Sequence, residues 1–183
     1  MFKCITETEY KKACADSGHE YHGLADRWQY YKEVVHLIET YGPFESVLEI
    51  GPAWIPVVNN CDTLDNDVRQ GQVEPTYKHN LKTIPWPMGN KQYDLVIALQ
   101  VWEHIYNVQI EAFGELRRIA RAAIMSFPFE WQCRQPATCT NCHCGITKQT
   151  ISAWTHHIEP IDYTIIYDTV GMKHKRMIYY LEL

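Results

Sequence analysis

Residues 93–99 read Tyr-Asp-Leu-Val-Ile-Ala-Leu and are apolar almost throughout. A strand of that kind has to be covered on both faces, as in a parallel sheet packed between layers. Two further runs have the same character, Val-Leu-Glu-Ile at 47–50 and Ala-Ala-Ile-Met-Ser-Phe at 122–127. Shorter strands are predicted at 61–64 and 77–81. Residues 24–41, with Trp28, Tyr31, Val35 and Ile38 at three- and four-residue steps, predict a helix that Gly42-Pro43 stops. Residues 110–121 predict an amphipathic helix with Phe113, Leu116 and Ile119 on one side and Arg117, Arg118 and Arg121 on the other. A short helix is expected after Pro56, a residue suited to a first helical position. Strands alternating with helices imply an α/β fold. The expectation is a Rossmann-like, doubly wound sheet, mostly parallel with an antiparallel final strand, in a three-layer α/β/α sandwich. Two β-rich runs around Gly171, at 163–170 and 177–183, supply the antiparallel pair.

Length and charge narrow the function. The 183 residues suit one domain. Within it, residues 1–42 form an N-terminal helical cap and 130–160 a cysteine-bearing insert. The net charge of −5 argues against a general nucleic-acid partner. No apolar run approaches the roughly 20 residues that span a bilayer, so no membrane association is expected. The N-terminus has no secretory apolar core. With seven cysteines, an odd number, the chain reads as cytoplasmic with reduced thiols.

Doubly wound sheets bind ligands beyond the carboxyl ends of their strands. That rule selects Glu49, Gly51, Asp65, Asn80, Gln100 and Pro128. Gly51 lets the backbone approach a ligand closely, or is a plain turn glycine. Glu49 can order the loop that follows, or is a capped surface carboxylate. Asp65 is placed to accept from a ribose diol, although Asp-Asn-Asp is also common turn chemistry. Asn80 carries an amide able to read an adenine edge. Their ordered spacing is stronger evidence than any one of them.

Three blocks resemble class I S-adenosylmethionine-dependent methyltransferases of the Methyltransferase-11 kind. The first is Val47-Leu48-Glu49-Ile50-Gly51-Pro52. The second joins Ile84-Pro85-Trp86-Pro87 to the run 93–105, where Gln100-Val101-Trp102-Glu103-His104 resembles the family's "LEH" helix start with Trp102 for leucine. The third is Glu115-Leu116-Arg117-Arg118-Ile119-Ala120-Arg121 followed by 124–128. The likeness covers about residues 45–130 and implies S-adenosylmethionine as cofactor. It places Glu49, Gly51 and Pro52 at the methionine part, Asp65 at the ribose, Asn80 and Leu81 at the adenine, and Gln100 beside the cofactor. It puts His104 near methyl transfer, as a base or as a residue holding its loop. Tyr21, His22, Arg27, Tyr30 and Tyr31 would line a covering segment, or simply pack. The chain departs from the family at Ala53, Trp54 and Pro56, which crowd the first loop, and at Asn80, which replaces an acid.

The insert is a second signal. Cys133, Cys139, Cys142 and Cys144 lie close together, with His143, His156 and His157 nearby. Cys139-Thr140-Asn141-Cys142 has the spacing of a zinc knuckle. A structural zinc is one expectation, and free thiols over a substrate cleft are the other. The favoured function is methyl transfer to a small-molecule or glycan acceptor. The alternatives are a catalytically inactive binding module of the same fold and a zinc-bearing nucleic-acid-modifying protein.

Overall fold

The computed structural model describes residues 2–17, 27–52, 55–67, 74–131, 144–167 and 175–183. Its centre is a seven-stranded sheet. The strands are β2 (Val47–Ile50), β4 (Asp62–Asp65), β5 (Tyr77–Lys78), β6 (Tyr93–Leu99), β7 (Ala120–Phe129), β8 (Asp162–Tyr167) and β9 (Lys175–Glu182), in spatial order β5-β4-β2-β6-β7-β9-β8. The strands β5, β4, β2, β6 and β7 run parallel, and β9 is antiparallel to both β7 and β8. The antiparallel strand is therefore inserted between β7 and β8.

Period-two alternation on β6 decides the two faces. Leu95, Ile97 and Leu99 pack with Val47, Ile124, Ile178 and Tyr180 beneath α2 (Trp28–Tyr41) and α1 (Glu7–Asp16). Val96 and Ala98 pack with Leu48, Ile50 and Met125 beneath α3 (Gln109–Ile119) and α4 (Lys148–Trp154). Each large apolar side chain so buried stabilises the fold by about 1.5–3 kcal/mol. A two-residue strand, β1 (Lys3–Cys4), pairs antiparallel with β3 (Val58–Asn59) and fixes the N-terminus to the α2 layer.

Several boundaries differ from the sequence reading. No helix follows Pro56 among the described residues; Val58 and Asn59 extend to pair with β1. The predicted strand at 77–81 is only Tyr77–Lys78. The helix expected at 110–121 ends at Ile119, and β7 begins at Ala120. β7 also extends beyond the apolar run 122–127 and passes through Pro128. β6 pairs with β7 only as far as Ser126, so the proline's missing N–H falls where β7 has a neighbour on one side. Helix α1 lies within the 1–42 segment expected to be a helical cap, and α4 falls in the 130–160 insert, where no helix was predicted. Both start with reciprocal caps, Thr6 with Glu9 and Thr147 with Thr150.

Candidate functional site

Because β2, β4, β5, β6 and β7 are parallel, their carboxyl ends form one rim. Glu49, Gly51, Pro52, Asp65, Asn80, Leu81, Gln100 and His104 all lie along it or in the loops that rise from it. Gly51 has φ of +63°, a left-handed conformation that suits glycine, and a Cβ there would lie 3.0 Å from Val101 Cγ2. Its N–H donates to Leu64 O at 2.8 Å, tying the turn to the neighbouring strand. The backbone is thus bare and fixed where β2 ends.

Glu49 explains how the crossover from β2 to β4 is held. The residue is buried, and its Oε2 accepts from Val57 N–H at 2.7 Å. Burial pushes its carboxyl up to about 8 against the opposing pull of the Val57 and Val58 N–H groups. Parallel crossovers usually contain a helix. Here a buried carboxyl clamps an irregular segment that contains β3.

Asp65 ends β4, and its Oδ1 accepts from Asn66 N–H at 2.7 Å. Asn80 is exposed, and its Oδ1 accepts from Lys82 N–H at 3.0 Å, so its amide shapes a turn. Leu81 is buried, and its carbonyl accepts from Trp86 Nε1 at 3.1 Å. The two-proline stretch is therefore a packed strap. Helix α3 grips it from the other face: Glu115 Oε2 accepts from Trp86 N–H at 2.7 Å, and Arg118 donates to Trp86 O at 3.0 Å and Met88 O at 2.7 Å. Arg118 also makes a two-point pair with Glu115 at 3.0 and 2.7 Å, which holds that carboxyl below its ordinary range.

Gln100 has φ of +57°, and its N–H and Nε2 both approach Ser126 Oγ, at 3.1 and 3.2 Å. The Tyr30 hydroxyl, deeply buried, has Ser126 as its hydrogen-bond partner. A three-residue turn, Trp102–His104, follows β6. Trp102 is buried and donates from Nε1 to Gln109 O at 3.1 Å, which pins the turn to α3. His104 is exposed, so it stands at the rim's surface.

Two buried charged residues at this rim were not singled out from the sequence as site residues. Glu103 is 1% exposed, and burial pushes its carboxyl up to about 8 while the Arg176 charge pulls it down. Arg176 is 4% exposed, with its guanidinium carbon 5.6 Å from the ring centroids of both Tyr30 and Trp131. Glu103 is the middle letter of the "LEH"-like block, and that position was its available signal. Arg176 sits in a basic run, Lys-His-Lys-Arg, that resembles a solvated patch.

Of the four cysteines proposed for zinc, Cys133, Cys139 and Cys142 lie outside the described residues, as do His143, Ala53, Trp54, Tyr21 and His22. Cys144 pairs with Trp131 through an isolated parallel backbone bridge. His156 Nε2 meets Ile110 O at 2.9 Å and His157 Nδ1 meets Ser152 Oγ at 3.1 Å. Among the described residues no group of three metal-ligating side chains forms. Several basic side chains are engaged within the protein: Arg118 in the strap, Arg121 with Asp94 at 3.6 Å and Lys175 with Glu130 at 2.9 Å. Among the described residues no helix is long and apolar enough to cross a membrane.

No family model matches the chain, and no curated protein matches it by sequence. Solved structures do match. The N-methyltransferase NodS from Bradyrhizobium japonicum WM9, in complex with S-adenosyl-L-homocysteine, superposes with a TM-score of 0.65 at 10% identity, over 94% of this chain and 97% of that one. The magnesium protoporphyrin IX methyltransferase ChlM from Synechocystis PCC 6803, with S-adenosylmethionine bound, gives 0.56 at 16% identity, over 95% and 89%. The [4+2]-cyclase SpnF gives 0.61 at 11% identity, over 91% and 83%. The chain has the Rossmann-like fold of the class I S-adenosylmethionine-dependent methyltransferases.

Proposed function

We propose that this protein is an S-adenosylmethionine-dependent methyltransferase acting on a small-molecule acceptor. The observation that carries the reading is the end of β2. A left-handed glycine presents bare backbone at the rim, a buried glutamate fixes the loop behind it, and Asp65 closes the adjacent parallel strand. In this reading Gly51 and Pro52 lie along the methionine part and Asp65 accepts from the ribose hydroxyls. Asn80 and Leu81 border the adenine, on the strap that Trp86 and Arg118 hold. Gln100 lines the cofactor's other side. When bound, the cofactor supplies a methyl group activated on a sulfonium. The chain's task is then alignment of an acceptor over the ends of β6 and β7, beside His104, and such transfer needs no dedicated base.

Calorimetric titration with S-adenosylhomocysteine tests the reading. Saturable one-to-one binding is expected, and no binding at millimolar ligand would overturn it. Transfer of labelled methyl groups into pooled small-molecule extracts then reports activity. A second reading, a binding module without turnover, draws on one observation: among the described residues the crossover after Gly51 has no helix, so no helix N-terminus faces the loop. Cofactor binding without label transfer to any acceptor pool favours it.

A further inference from the structure

The sheet's strand order reverses between β2 and β6. From β2 the chain crosses to β4 and β5, then returns to β6 on the other side of β2. Ligands of such sheets lie in the crevice at that point, beyond the carboxyl ends. Gly51, just past β2, and Gln100, just past β6, flank it, since Ile50 pairs with Ala98. They are close in space as well: a Cβ on Gly51 would lie 3.0 Å from Val101, the neighbour of Gln100. The Gln100 side chain leans the other way. Its Nε2 donates to Ser126 Oγ at 3.2 Å, and Ser126 is the last residue of β7 to pair with β6. The carboxamide therefore lies over the gap between β6 and β7, across β6 from Gly51. The Gln100 backbone is held at the same place, its N–H 3.1 Å from both the carbonyl oxygen and Oγ of Ser126. A serine oxygen has two lone pairs, and Gln100 N–H and Nε2 fill both. The amide is thus set with its nitrogen inward. Among the described residues Gln100 Oε1 has no partner and is not enclosed. The crevice is offered a fixed, neutral acceptor on its β7 side.

We infer that the methyl acceptor is a neutral primary or secondary amine, held through its N–H on Gln100 Oε1, with Ser126 as the positioning residue that fixes the amide that way round. The inference rests on the methyltransferase reading and deepens it. The Gln100 backbone borders the cofactor and its amide borders the acceptor. An amine can donate its N–H to an amide oxygen and keep its lone pair for attack. A carboxylate or phosphate acceptor has no proton to give and would set oxygen against oxygen. A hydroxyl can donate, but it attacks well only after losing that proton, and an amide oxygen is too weak a base to take it. In the step itself the nitrogen lone pair forms the new N–C bond. The C–S bond breaks, and its electron pair stays on sulfur to give the thioether. The ammonium so formed gives its proton to water. Gln100 contributes alignment of the nitrogen, which is what such a displacement needs most.

The wild type gives the first test. A pooled small-molecule extract is split in two. One half is acetylated and then treated with mild alkali, which strips acetyl esters and leaves the amines blocked; the other half receives the alkali alone. Transfer of labelled methyl from S-adenosylmethionine is measured into both. Blocking should remove most of the incorporation. Equal incorporation in the two halves overturns the inference and leaves the methyltransferase reading standing. No incorporation in either half, with S-adenosylhomocysteine still bound, removes the inference together with turnover; no binding at all removes the methyltransferase reading itself. Two variants test the residues. In Gln100→Glu a carboxylate would hold the amine as an ammonium, whose lone pair is gone, so the pH profile of incorporation should move up by about one unit. Glu49 of β2, Glu103 and His104 of the turn, Tyr30 of α2 and Arg176 of β9 titrate or carry charge on the surrounding elements, and they are common to wild type and variant. Superimposable profiles overturn the inference. Ser126→Ala frees the amide to turn, and the extract concentration for half-maximal rate should rise roughly tenfold while calorimetric affinity for S-adenosylhomocysteine is kept. An unmoved half-saturation, or a loss of cofactor affinity in its place, overturns the role given to Ser126. If thermal scans show either variant unfolded, the blocked extract decides on the wild type alone.

Discussion

Glu49→Gln should make the protein's stability less sensitive to alkaline pH. The carboxyl sits at about 8 in the folded chain against an ordinary value of 4.5. The folded state therefore holds this proton more tightly than the unfolded state. Between the two values the folded chain binds more protons, so stability falls as pH rises. The contribution is fully present below the unfolded value and is lost as pH climbs through about 8. Across the whole interval the loss is on the order of 5 kcal/mol, and between pH 6 and 9 it is about 2–3 kcal/mol. A glutamine keeps an oxygen for the Val57 N–H and cannot ionise, but it adds a buried amide donor costing about 1–3 kcal/mol. The variant should then be the weaker protein at pH 6 and draw level with or pass the wild type by pH 9. Urea denaturation followed by tryptophan fluorescence at each pH gives the two curves, with equal slopes confirming a common unfolding transition. Curves that stay parallel within about 0.5 kcal/mol across this range would refute the idea that a buried, proton-holding Glu49 anchors the crossover.

Gly51→Ala places a side chain at a left-handed position and 3.0 Å from Val101. It should cost about 1–2 kcal/mol in denaturation and weaken S-adenosylhomocysteine binding as well. Arg118→Ala removes the two-point pair with Glu115 and both carbonyl contacts to the strap; a loss of about 2–3 kcal/mol is expected, with faster amide exchange at Trp86 and Leu81. Asp65→Ala should leave the unfolding midpoint within about 0.5 kcal/mol, because the residue lies at a turn. It should still reduce calorimetric affinity for S-adenosylhomocysteine by roughly tenfold, the worth of a charge-assisted hydrogen bond.

The sheet was legible where a strand's sequence is dictated by burial on both faces. Residues 47–50 and 93–99 matched because every position there is packed or nearly so. The closing antiparallel pair was legible from β-rich runs around one glycine. Short elements were less visible. β5 has two residues, and its neighbours Asn80 and Leu81 look equally extended in the sequence although Asn80 turns the chain. The helix expected after Pro56 rested on one proline. What decided the conformation there was distant: the N-terminal strand β1 and the carboxyl of Glu49 both claim residues 57–59. The same reason hid the burial of Glu103 and Arg176, since 73 positions of sequence separate the two residues and each is covered by parts of the chain far from it.

The helix-poor side of the rim and the strongly held strap are two parts of one arrangement. In a parallel α/β sheet the helix after the first strand usually both covers the sheet and points its N-terminal amides at the ligand. Here, among the described residues, neither the β2–β4 nor the β4–β5 connection contains a helix. The covering is taken over by α1, α2 and the β1–β3 pair, which bury Val57 and Val58 fully. The loops are fixed instead by side chains reaching in from elsewhere. Glu49 holds one crossover, and Glu115 with Arg118 holds the two-proline strap from α3. A rim built that way depends on individual carboxyls and a guanidinium more than on a helix dipole. Its ligand affinity should therefore respond to single substitutions far from any ligand contact. Arg118→Ala separates the two designs: if S-adenosylhomocysteine affinity falls together with the strap's amide protection, the rim is held by side chains, and an unchanged affinity would mean that the backbone alone suffices.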